Sequence, residues 1–153
     1  MKLAEALILR ADAKKRIEQL KVRLLRNARV QEGDAPTEDP SLLIAELERV
    51  TAELARLIRG VNRTNISTLL ADGLTIADAI AERDVLALRQ KVYSDLTAAN
   101  AARQDRYTRS EVRYVSAIDV VAVQAQADDL ARAYRDLDSR IQAINWTTEL
   151  IEL

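Results

Sequence analysis

The chain has no histidine, no cysteine and no phenylalanine among its 153 residues, and a single tryptophan. Without His or Cys, the Ser-His and Cys-His nucleophile arrangements are excluded. So are the Glu-x-x-His motifs that hold carboxylate-bridged metals inside helix bundles. The missing Cys also removes any disulfide framework, and with it a reason to expect secretion or redox chemistry. Three glycines and two prolines cluster at Gly33, Pro36, Pro40, Gly60 and Gly73, so connections should be few. The opening Met1-Lys2-Leu3-Ala4-Glu5 soon reaches Arg10 and Asp12. No apolar run is long enough for a signal peptide or a membrane span, and a cytoplasmic protein without membrane contact is expected.

Two heptad strings dominate what is present: Leu43, Leu47, Val50, Leu54, Leu57, Val61 and then Val120, Val123, Ala127, Leu130, Tyr134, Leu137, Ile141, Ile144. Apart from the tyrosine, every member is aliphatic, in alternating steps of three and four. Such a stripe must be buried against other helices, because an isolated amphipathic helix in water is marginal. The composition predicts a mostly α protein, a long antiparallel bundle or coiled coil of four helices forming a single elongated domain over residues 1–153.

The first helix should run from Lys2 to about Val30 on a stripe of Leu3, Ala6, Leu9, Ala13, Ile17, Leu20, Leu24 and Ala28. Asp39-Pro40 opens the second, with Asp free to cap and Pro at the first helical position. That helix should fray near Asn65. Asp72-Gly73 is a strong hairpin signal inside residues 66–75, and alternation near 111–117 suggests a short strand able to pair with it. The third helix carries two apolar sets, Ile76, Ile80, Leu86, Tyr93 and Ala81, Val85, Leu88, Val92, Leu96, Ala99. Together they cover a wide face, which predicts the most buried helix of the four. Asp119 should cap the fourth helix, running to about Asn145.

The net charge of −1 hides an asymmetry. Residues 1–30 hold nine Lys/Arg and three acids, whereas 31–60 and 119–153 each hold three bases and seven acids. The basic first helix therefore has acidic neighbours available within its own fold. Arg103, Arg106, Arg109 and Arg113 recur every three or four residues with Tyr107 and Tyr114 interleaved. On one helical face they could hold a phosphate, a carboxylate ligand, an acidic partner helix or acids of another subunit. Two polar clusters, Asn62, Arg63, Thr64, Asn65 and Asn145, Trp146 with the threonines that follow, end the two strings and could meet. The acidic pairs Glu82/Asp84, Asp128/Asp129 and Asp136/Asp138 sit mainly off the stripes, where solvation explains them. No catalytic residue, metal ligand or cofactor site is expected.

The strings Lys2-Leu3-Ala4-Glu5-Ala6-Leu7, Ala11-Asp12 with Arg16-Ile17, Asn62-Arg63-Thr64-Asn65, Arg83-Asp84, Arg103-Gln104-Asp105-Arg106-Tyr107 and Asn145-Trp146-Thr147-Thr148-Glu149-Leu150 resemble a small bacterial family labelled septicolysin-like. The resemblance implies a cytoplasmic, mostly helical, self-associating protein with no catalytic residues to carry over. The leading expectation is accordingly a non-enzymatic structural or interaction protein, a homo-oligomer that is a dimer or higher, a hexamer among the options. The alternative is a nucleic-acid or anionic-ligand binding module using the first helix and the Arg103–Arg113 cluster. The sub-neutral pI and the lack of aromatic residues in the first helix argue against nucleic acid.

Overall fold

The computed structural model describes residues 1–101 and 114–152. Among these the fold is mostly α, with four helices: α1 (Leu3–Asn27), α2 (Pro40–Ser67), α3 (Ile76–Ala101) and α4 (Val120–Thr147). Their contacts divide the chain into two units, one of Met1–Ile76 with the segment from Gln142 onward, the other of the described residues in Ala77–Ile141.

In the first unit α1 and α2 form an antiparallel hairpin. Ala13, Leu20, Leu43 and Val50 share one core, with Ile17, Leu24, Leu47 and Leu54 packed against it. The α2 heptads are all turned inward, from Leu43 to Val61. Fully burying each such Leu contributes about 1.5–3 kcal/mol, which fixes the register of the pair. The α1 stripe is looser, since Leu9 is 40% exposed and Ala28 is solvent-facing. Asn27 is buried in that last turn instead. Its amide donates to the Arg23 carbonyl at 2.9 Å and its oxygen accepts from the Glu38 amide at 3.0 Å, tying the loop back to the helix. Asp39 accepts from the Ser41 amide at 2.8 Å as the cap of α2, directly before Pro40.

The hairpin expected in 66–75 is reduced to one antiparallel bridge between Leu69 and Thr75. Gly73, at φ +86°, makes the turn, a conformation glycine adopts without Cβ strain. The described part of the strand expected near 111–117, from Tyr114 onward, has no strand structure, and the rest of it lies outside the described residues.

In the second unit α3 and α4 run antiparallel. Arg83, early in α3, meets Asp138, late in α4, while Ala87 and Gln90 line a hollow with Ala131, Tyr134 and Arg135. Asp119 accepts from the Ala122 amide at 3.1 Å and starts α4, whose string from Val120 to Ile144 is buried or half-buried throughout. The expectation for α3 is overturned. Its half-buried row passes through Ile80, Arg83, Leu86, Gln90, Tyr93 and Thr97, whereas Ala81, Val85, Leu88, Val92, Leu96 and Ala99 are exposed. One aliphatic set packs and the other is exposed, because α4, its neighbour within this unit, covers only one side.

Candidate functional site

The polar cluster on α2 does not fray the helix. α2 continues to Ser67, and the Thr68 amide still donates to the Thr64 carbonyl. Asn62 and Arg63 are exposed and Asn65 is half-buried, but Thr64 has no exposed surface. Its hydroxyl donates to the Gly60 carbonyl at 2.8 Å and accepts from the Ile151 amide at 2.9 Å. One turn earlier, Gly60 leaves room for Leu150, whose side chain lies 3.3 Å from where a Cβ would stand. Small residues at 60 and 64 thus form a socket for the tail that follows α4.

The same tail binds the start of the chain. The Leu3 amide donates to the Thr148 carbonyl at 2.9 Å, and the Leu150 amide to the Met1 carbonyl at 2.8 Å. The Lys2 ammonium lies 2.6 Å from Glu149 and donates to the Thr147 carbonyl at 3.1 Å. Hydrogen bonds from Lys2 and the terminal ammonium hold the Glu149 carboxyl below the usual carboxylate range. Of the second polar cluster, Asn145 is buried and Trp146 is 56% exposed. The two clusters are therefore joined through the tail between them, in a joint filled by the chain's own residues.

Along the hairpin, charge on α1 is met by acids of the chain. Arg16 pairs with Glu46, its Nε donating at 3.0 Å, and Arg23 with Glu38, its Nε at 3.1 Å from both carboxylate oxygens. These hydrogen bonds lower the pKa of Glu46 and of Glu38 and raise that of Arg23. Two of the nine bases in residues 1–30 are thus paired with acids of the segment 31–60. In the second unit Arg83 donates to Asp84 and, from Nη1, to Asp138 at 2.9 Å. The bond to Asp84 leads in raising its pKa, with Asp138 adding to it. One carboxylate from each of two acidic pairs is thus committed to an arginine. Among the described residues no group of three or more His, Cys, Asp or Glu is placed to hold a metal ion, and no helix is long and apolar enough to cross a membrane. Arg103, Arg106, Arg109 and Arg113 lie outside the described residues.

What periodicity alone misses is the outer face of α3. Val85, Leu88 and Val92 are 53%, 69% and 57% exposed, and Leu96 is 39% exposed one turn further on. The signal that could have found it is the row Arg83, Gln90, Thr97, polar groups at heptad spacing that mark the side taken by α4. Single exposed aliphatics are ordinary; here four fall on one side of a single helix.

The profile described as a family of unknown function, DUF6847, matches residues 10–150. A crystal structure of a functionally unknown conserved protein from Corynebacterium diphtheriae is 46% identical, with a TM-score of 0.92 over 99% of each chain. No curated protein matches the sequence.

Proposed function

Given that this chain belongs to DUF6847, a family of unknown function, we propose that it is a non-enzymatic helical protein of the bacterial cytoplasm that acts by associating with copies of itself. The supporting observation is the row Val85, Leu88, Val92 on α3, which is exposed among the described residues and has the heptad spacing of a helix–helix seam. The composition points the same way, since a chain without His or Cys has little means for nucleophilic or redox catalysis. Light scattering of the full chain at tens of micromolar tests the reading. A mass above that of one chain supports it, and a monomeric mass overturns it.

A further inference from the structure

Resting on that reading, we propose that the outer face of α3 pairs with the same face of a second copy, in an antiparallel two-helix seam centred between Leu86 and Ala87. The occupant is argued from charge. With Val85 and Val92 in the first core position of a heptad, Ala81 and Leu88 take the second. On one side of the seam stand Asp84 and Lys91, and on the other Glu82 and Arg89. Both rows read acid first and base seven residues later.

Only a helix running the opposite way brings each acid to a base on both sides. In an antiparallel seam Val85 packs against the partner's Leu88, and Ala81 against the partner's Val92. The same register sets Asp84 opposite the partner's Lys91 and Glu82 opposite the partner's Arg89, each pair occurring twice by symmetry. A parallel seam would match only Asp84 with the partner's Arg89. Glu82, Asp84, Arg89 and Lys91 are all exposed; Asp84 is held by Arg83 and Lys91 by Asp95 of the same helix, exposed pairs that the seam would exchange for its own. The core layers span 12 residues of helix, about 18 Å, an interface of the small reversible class. Beyond them Asp95 would approach the partner's Asp78, which ends the seam.

The test uses the full chain and its natural lack of cysteine. Ala81→Cys and Val92→Cys are made separately, mixed, and oxidised. The mixture should give a disulfide-linked dimer of one of each, while either variant alone should not, because identical positions lie about 17 Å apart along an antiparallel seam. Self-linked dimers from each variant alone would mean a parallel seam and overturn the proposal. In a second arm, Glu82→Lys with Asp84→Lys, and Arg89→Glu with Lys91→Glu, should each weaken association at least tenfold, and mixing the two should restore it. If the natural chain associates but neither charge variant changes it, assembly uses another face and this inference alone fails. If the natural chain is monomeric, the functional reading fails with it.

Discussion

Gly60 sets the joint between α2 and the tail, and substitution there separates two opposing effects. Replacing glycine inside a helix gains about 1 kcal/mol when the new residue is Ala. Against this, the new methyl would stand 3.3 Å from Cγ, Cδ1 and Cδ2 of Leu150, a few tenths of an ångström inside the optimal carbon–carbon separation of about 3.5–4.0 Å. Leu150 is 8% exposed, and its segment is fastened through its own amide and that of Ile151. Gly60→Ala should therefore stay within about 1 kcal/mol of the natural chain. Gly60→Leu cannot be accommodated with Leu150 in place. It forfeits that side chain's burial, about 1.5–3 kcal/mol, and strains the Ile151–Thr64 hydrogen bond, about 1 kcal/mol. After the helix gain of about 1 kcal/mol, the net loss is about 1.5–3 kcal/mol. Leu150→Ala alone should cost about 2–4 kcal/mol, and the double variant Gly60→Leu/Leu150→Ala should lose less than the sum, by about 1 kcal/mol or more. Urea denaturation of the four proteins measures all these terms. Additive losses, or a Gly60→Leu variant as stable as the natural chain, would refute the socket.

Other perturbations test other parts of the fold. Leu20 has no exposed surface in the α1–α2 core, so Leu20→Ala should cost about 3–5 kcal/mol in the same assay. Asn27→Ala removes both bonds that tie the loop to α1; about 1–3 kcal/mol should be lost, with the Glu38 amide losing hydrogen-exchange protection before the α2 core does. The carboxyls of Glu38, Glu46 and Glu149 are all held below their ordinary range by bonded cations. Depressed carboxyl pKa values add stability above the unfolded value, about 4.3 for Glu, and that stability is lost as pH falls through the folded values. Melting temperature should drop with acidification below about pH 5, and the triple Glu→Gln variant should show a shallower drop from a lower starting point. Equal slopes would mean that these pairs contribute nothing.

The heptads of α2 and α4 are legible in the sequence because both helices bury one narrow stripe and keep polar residues elsewhere. The starts at Asp39 and Asp119 are legible for a local reason, a side chain capping amides two and three residues on. α3 is not legible in the same way. Its two aliphatic sets compete, and the inner row includes Arg83, a charged residue that hydrophobic periodicity assigns to solvent. Arg83 is satisfied by Asp138, 55 residues away, a pairing no local pattern encodes. The socket at Gly60 and Thr64 is hidden for a related reason. A glycine within a helix and a threonine bonded to its own backbone look unfavourable until Leu150 and Ile151, 87 and more residues on, fill the space. Asn62, Arg63, Asn145 and Trp146 were legible as the ends of stripes, but not that Asn145 would be buried while the other three are exposed.

Sedimentation equilibrium of the full chain from about 1 to 500 µM, beside a Leu88→Glu variant, tests the central claim most directly. Leu88 is 69% exposed, so the substitution should leave the fold within about 0.5 kcal/mol of the natural stability. The account predicts that the natural chain's average mass rises with concentration above 17.1 kDa and that the variant associates at least tenfold more weakly. A natural chain that sediments as a 17.1 kDa monomer throughout would contradict it.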